Sequence, residues 1–448
     1  MENKYTYDKT SKGSIIFIFR RDLRINDNVG LQYAISKAKK ESLQLLPLFI
    51  FNSEQINSVY SSKHALSFMY KALKNLEKLI KINYLICSNY EKYVKIIIKL
   101  TKLYNCKMVI FNKDYTSYAI KRDTLLIESL KNINSEILIF DDALLFKPEL
   151  LFKSDGKAYK KFTPFHINAM KFKVNKPIRN SNMDEIKILS IESSQSNINK
   201  YKTKLQYLKK YINNIEYESG ENMLKKFVFS NIGKKYNSNR NFVNVENTTS
   251  LLSAHLRFGT ISVRYVYWVI RNNFGKSHKL LEQLYWRDFY YGVCYYYYDN
   301  IKTKYNENKT WIYSTSSIAK HGKIKWCKYN FDDTHFNNIK NMNKTDKQNY
   351  INWCDGNTGI KIVDDAMIQL NKTGYIHNRQ RMIVASYLIF YLNIHWKFGE
   401  VYFSQQLIDH DYVINLGNWK WVAAIEPYSN NPNHIFSMES QEKRFYNK

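Results

Sequence analysis

Between Val363 and Trp421 the sequence concentrates residue types that ordinary core packing does not need. It reads VDDAMIQLNKTGYIHNRQRM, then HWKFGEVYF, then LIDHDYVINLGNWKW. Asn378 and Met382 are four apart, as are His377 and Arg381, so on a helix each pair shares a face. One pair is then free to meet a ligand while the other braces it. Asp409 and Asp411 flank His410, Asn415 follows, and Trp419 and Trp421 alternate after Gly417. Carboxylates, an amide and indoles in one stretch suit an aromatic cofactor with polar edges. Asp-His-Asp also raises a metal, but there is no further cluster of ligands beside it and such a motif alone is usually structural, so no metal is expected.

These residues need elements to hold them. Gly374 stands where a helix carrying Val363, Met367 and Leu370 on one face should stop, and a second helical pattern begins at once, which predicts a tight helical corner. Far upstream, SIIFIF, LLPLFIF, YLIC, KMVIF and ILIF within residues 14–140 predict strands buried on both faces. Leu66, Met69, Leu73, Leu76 and Ile80 between them fall on one helical stripe. Strand and helix alternating in this way predict a doubly wound parallel sheet, an α/β domain over 12–145. Arg20, Arg21, Asp22 and Arg24 follow the first strand in place of a GxGxxG turn, so a dinucleotide is not expected there. From about 170 to 235 the composition turns to Asn, Ser and Lys. A linker is assigned to 146–235, and an all-α domain to 236–448.

The 448 residues exceed one ordinary core and fit two domains. The formal net charge of +29 fits a polyanionic partner such as DNA, and equally a solvated basic surface produced by a Lys-, Asn-, Ile- and Tyr-rich composition. Five scattered cysteines without a CxxC pair indicate neither a disulfide framework nor a zinc site. No apolar run has membrane-spanning length and the first residues lack a secretory signal, so a soluble intracellular protein, monomeric and away from membranes, is the expectation.

Read in order, FIFRRDLRINDN (17–28), KFTPF (161–165), TSLLSAHLRFGTIS (249–262), QLYWRDFYY (283–291) and TGYIHNRQRM with GEVYFSQQLIDHDYVINLGNWKW (373–382 and 399–421) resemble the cryptochrome/photolyase family, most closely its class I members. The resemblance covers most of the chain. It implies FAD in the helical domain, held by Tyr236, Thr249, Ser250, Leu251, Leu252, Ser253, Arg287, Asp409 and Asp411, with Asn415 beside flavin N5. Thr249–Ser253 also offers hydroxyls and backbone N–H groups at an expected helix start, which suits a pyrophosphate. Asn cannot donate a proton as a carboxylic acid can, which favours a fully reduced, anionic flavin. Trp419, Trp396 and Trp326 match the family's electron-transfer tryptophans. Trp286, Asn378, Met382 and Gln283 match the lesion pocket, and Arg240 and Arg379 match DNA-phosphate positions. An antenna chromophore, folate or deazaflavin, is implied for the α/β domain, although Thr116 stands where folate-binding members have a glutamate.

The implied activity is light-driven repair of cyclobutane pyrimidine dimers in ultraviolet-damaged DNA. Three departures bear on it. Gln283 replaces the glutamate usual in dimer repair and is typical of (6-4) photolyases, whereas Met382 stands where those enzymes carry a second histidine. VAAIEPYSNN (422–431) replaces a small Gly/Thr-rich turn, and His434 stands for an arginine. The chain also stops at Lys448, before a cryptochrome-like tail. A flavin photoreceptor, (6-4) repair, and a non-catalytic basic nucleic-acid binder therefore remain as alternatives.

Overall fold

All five apolar runs form strands, β1 (Ser14–Ile18), β2 (Gln44–Asn52), β3 (Asn83–Cys87), β4 (Cys106–Asn112) and β5 (Glu136–Phe140), but β5 is not buried on both faces as expected, because it lies at the edge of the sheet and leaves Ile139 exposed. The structure is a computed structural model that describes residues 12–58, 60–131, 133, 135–178, 180, 183–191, 217–243, 248–297, 342–423 and 436–446. The sheet is parallel throughout, in the order β3-β2-β1-β4-β5, with Ile16 opposite both Leu46 and Val109. Residue alternation divides β1 between two cores. Ile15 and Phe17 pack with Leu31 and Ile35 of α1 (Val29–Glu41) and Phe68 and Leu73 of α3 (Lys63–Leu76), beyond the single turn α2 (Ser53–Ile56). Ile16 and Ile18 pack with Ile97 of α4 (Tyr90–Leu103) and Leu126 of α5 (Ser117–Leu130). Each such fully buried side chain contributes roughly 1.5–3 kcal/mol of transfer free energy. The helix predicted from Leu66 to Ile80 ends at Leu76, so Ile80 is buried from the turn that follows.

The connecting stretch contributes helices of its own. α6 (Phe162–Ala169) carries Pro164 in its first turn, where a missing N–H costs nothing. α7 (Gly220–Phe229) and α8 (Asn231–Asn239) start on serine caps, Ser219 and Ser230, which a composition-level reading of a loose linker does not register. Then come α9 (Ser253–Phe258), α10 (Val263–Phe274), α11 (Lys279–Tyr297), α12 (Lys344–Asp355), α13 (Lys361–Thr373), α14 (Asn378–Ser386), a π-helical turn Tyr387–Tyr391, α15 (Trp396–Gln406), α16 (Tyr412–Val422) and α17 (Met438–Phe445). They enclose two cores, and α16 serves both, with Val413 in one and Leu416 and Trp419 in the other. Among the described residues no helix is long and apolar enough to cross a membrane.

The arginines after β1 join the two halves. Arg24 and Arg264 both pair with Asp142, at 2.7 and 2.9 Å, and Arg264 also reaches Asp27 at 3.1 Å. All four side chains are buried. Removing one member of such a set strands the others as unpaired buried charge. Arg21 of the same run pairs with Asp411, 390 positions away, which ties the sheet to the start of α16.

Candidate active site

The helical corner forms as predicted. α13 ends at Gly374, whose φ of 72° lies in the left-handed region, and a Cβ there would stand 2.6 Å from the His64 ring of α3. α14 follows with His377 as its N-cap: Nδ1 accepts from the Arg379 N–H at 3.0 Å, while Gln380 Oε1 accepts from the His377 N–H at 2.9 Å. An imidazole that accepts at Nδ1 must be neutral. Burial, the largest cause, together with neighbouring arginines lowers its pKa to about 4, against a hydrogen bond from the ring to the Arg240 backbone that works the other way.

Asn378 and Met382 do share a face, with the Asn378 amide 3.7 Å from the Met382 sulfur. Arg381, on the bracing face, donates to Asp409 Oδ2 at 2.9 Å. Asp409 Oδ1 is buried with no partner among the described residues, an acceptor left for something else. Both oxygens of Asp411 are used: Oδ1 caps α16 through the N–H groups of Val413 and Ile414, and Oδ2 takes Arg21 and, at 2.6 Å, the Tyr291 hydroxyl. Burial opposes the charge on Asp411, but Arg21, Arg257 and Arg287 override it and hold the carboxylate well below its usual range. The Asn415 amide nitrogen donates to the Glu400 carbonyl at 2.8 Å and to its carboxylate at 3.1 Å. Lys397 pairs with that carboxylate at 3.1 Å. With both amide hydrogens oriented, the Asn415 carbonyl oxygen is the group left to face the cavity.

These residues surround a cavity of about 430 Å³ lined by Tyr236, Arg240, Thr249 through Ser253, Gln283, Trp286, Arg287, Asn378, Arg379, Met382, Asp409 and Asp411. A second hollow of about 100 Å³ shares Asn378, Arg381, Met382 and both aspartates with it and reaches Asn415 and Trp419. Segments from 236 to 421 therefore converge on one opening, and residues assigned to cofactor and to lesion line the same space.

Residues 280–448 match the FAD binding domain of DNA photolyase, and residues 15–181 match DNA photolyase. The deoxyribodipyrimidine photo-lyase of Buchnera aphidicola subsp. Baizongia pistaciae is 32% identical over 442 residues, covering 95% of this chain and 85% of that protein. The chain belongs to the DNA photolyase family. Among solved structures, an archaeal photolyase from Sulfolobus tokodaii, which holds two FAD molecules, superposes with a TM-score of 0.74 at 28% identity over 96% of this chain and 87% of its own. A Synechocystis cryptochrome shares the fold, with a TM-score of 0.74 at 20% identity over 98% and 88% of the two chains.

The residues present fit the flavin that the family's domain implies. Leu251 takes a positive φ of 53° and is followed by Leu252 at φ −85°, ψ −2°, an alternation of backbone sign at the start of α9 of the kind that suits an anion. The unpartnered Asp409 oxygen supplies an acceptor at the same cavity. Of the tryptophans assigned to photolyase electron transfer, Trp419 lines the inner hollow and packs on Phe403 at 5.1 Å and Trp353 at 6.3 Å. Gly399 makes that packing feasible, since a Cβ there would meet the indole at 2.1 Å. Trp396 is buried in the same core, and the Lys397 and Lys420 ammonium groups each stand 5.7 Å from its ring. Trp326 and His434 lie outside the described residues.

Several groups at the site were not assigned from sequence. Arg21, Tyr291 and Glu400 act through partners remote in the chain, and no local pattern marks them. Arg444 is another: its guanidinium and that of Arg379 both stand over the Phe445 ring, at 5.2 and 4.3 Å. Burial and repulsion from Arg444 and Arg240 lower the Arg379 pKa, so three cations share this rim. Thr116 caps α5, accepting from the Ala119 N–H at 3.3 Å.

Proposed function

We propose that this chain repairs cyclobutane pyrimidine dimers in DNA under light, holding FAD and the extruded lesion in one cavity. The observation that carries the reading is the single opening onto which the cofactor-assigned and lesion-assigned residues both face. Bound FAD, in its reduced form, supplies the light-driven electron that splits the dimer and is then returned. The chain's own part is to bind, orient and keep water away. The N–H groups after Ser250 hold the pyrophosphate, while Tyr236, Arg287 and Asp409 fix the remaining polar edges. The Asn415 carbonyl oxygen would be the acceptor offered to flavin N5, and the amide has no acidic proton to give there. Trp419 and Trp396 are the oxidisable side chains that return the flavin to its working state. A dimer cannot be reached inside a duplex and must be flipped out, which costs less for a damaged pair. Trp286 stacks on it, Asn378 reads a base edge, Met382 supplies a soft apolar contact, and Gln283 hydrogen-bonds a carbonyl. Arg240 and Arg379 take the flanking phosphates.

An antenna would sit in the α/β domain. Folate and deazaflavin are the readings from sequence, and the archaeal relative adds a second flavin. At the C-terminal edge of the sheet, Arg20 lies 3.8 Å over Phe111 and pairs with Asp123 at 2.8 Å.

Gln283 favours two other readings: (6-4) repair, which lacks its second histidine at Met382, and a photoreceptor. The test is a visible spectrum of the purified chain followed by blue illumination with reductant and oligonucleotides carrying a cyclobutane dimer or a (6-4) product. Flavin absorption with restoration of the dimer alone is expected. Restoration of neither lesion by a flavin-bearing chain would leave the photoreceptor, and a colourless chain that still binds DNA would leave the basic binder.

A further inference from the structure

α6 belongs to the connecting stretch, yet its first residue reaches the back of the cavity wall. The Phe162 ring lies flat on the Trp286 indole, with centroids 3.7 Å apart and planes 6° from parallel. His166, one helical turn on, stacks on Phe162 at 5.2 Å and 12°, which makes three near-parallel rings. Phe289 meets the same indole edge-on at 5.6 Å and 88°. An indole face covered at 3.7 Å has no room for another ring, so a base can stack only on the opposite face. Trp286 lines the cavity and is only partly buried; Phe289 and Tyr290 meet it with centroids at 5.6 and 5.8 Å, but of the three rings Phe162 alone lies flat against it.

We propose that Phe162 is a positioning residue for lesion recognition, its ring fixing the plane of Trp286 so that the indole presents one preset face to an extruded pyrimidine dimer. The inference rests on the dimer-binding reading above. The physical gain is preorganisation: the ordering of Trp286 is met in folding instead of at binding. Base stacking on an aromatic side chain depends on coplanarity, and an undamaged duplex, with no extruded base, does not call on Trp286 at all.

The test is dark binding of the full chain, by fluorescence anisotropy, to a duplex with one cyclobutane thymine dimer and to the same duplex undamaged. Phe162→Leu should weaken dimer binding by about two- to tenfold, the range of one aromatic pair, and leave undamaged binding unchanged. Phe162→Tyr, which keeps the ring, should restore wild-type binding. In a Trp286→Leu background the Phe162→Leu change should add nothing, because the two act as one unit. If Phe162→Leu melts below assay temperature, Phe162→Met keeps most of the volume without the flat ring and replaces it. An equal loss on both duplexes, or a full effect persisting in the Trp286→Leu background, would overturn the proposal. A wild-type chain with no preference for the damaged duplex would overturn the dimer reading and this one with it, whereas a preference undiminished in Phe162→Leu overturns this one alone.

Discussion

At Gln283 a single atom type decides how charge on the lesion is met. An amide donates a hydrogen bond to a dimer carbonyl, whereas a protonated carboxyl shares its proton as negative charge develops. Gln283→Glu is expected to raise cyclobutane-dimer repair, by about fivefold if the gain equals that of a charge-assisted over a neutral hydrogen bond. Single-turnover repair by reduced protein measures it, and a drop would mean the cavity is organised for another lesion. Trp419 is separable from this step. It packs against Gly399, Phe403 and Trp353 beneath the inner hollow, away from Gln283 and Trp286. Trp419→Phe should remove most of the light-driven reduction of oxidised flavin while chemically reduced protein repairs as before. Unchanged photoreduction would count against the tryptophan route. The Asn378/Met382 pair was legible in the sequence because i,i+4 spacing is a local property. Asn415's partner was not, since Glu400 sits on a different helix and nothing in its own neighbourhood points to it.

Two helices at the site, α14, which lines the cavity, and α15, which packs behind it, start from histidine caps, His377 and His395, each accepting a backbone N–H through Nδ1. Sequence patterns place such helix starts from Ser, Thr, Asp or Asn, so the caps were invisible while Gly374, a conventional stop, was plain. The caps make the site sensitive to acid. His377 titrates at about 4 when folded, against roughly 6.5 when unfolded, so the unfolded chain takes up protons first. Its contribution is intact above pH 6.5 and falls away as pH drops toward 4, by on the order of 3 kcal/mol at most. Asp288 acts the other way. Burial raises it to about 7, against Arg287 and two backbone N–H groups, so it favours the folded state as pH falls from about 7 toward 4. A comparison of variants cancels that opposing effect. His377→Asn keeps a good cap without a titrating group, and the difference in unfolding free energy between it and the parent should shift in the variant's favour between pH 6.5 and 4. A parallel pair of pH profiles would show that the cap does not titrate there.

For the molecule as a whole, the strands were readable because β1, β2 and β4 bury both faces locally and the edge strands keep the same apolar residue types, but the contacts that assemble the halves were not. Arg21 with Asp411, and Arg24 and Arg264 with Asp142, span distances in sequence over which no periodicity survives. The charge of +29 is a whole-molecule property of the same kind, since composition alone does not say whether it is aimed at anything. The rim beside the cavity separates the two readings. Arg240, Arg379 and Arg444 converge there, and Asn241 accepts from Arg379 at 3.2 Å. Among the described residues no carboxylate pairs with any of the three. Like charges held together this way repel until a phosphate arrives, and each phosphate neutralised releases condensed counterions. Arg444→Gln should therefore weaken binding to any DNA sequence and make the plot of log affinity against log salt shallower by about 0.9 for duplex. Lys443, beside it on α17 but paired with Glu439 at 2.7 Å, is the control, and Lys443→Gln should leave the slope nearly as it was. If Arg444→Gln kept the parent's slope, or Lys443→Gln lowered it as much, the basic charge would be acting as diffuse composition and not through this rim.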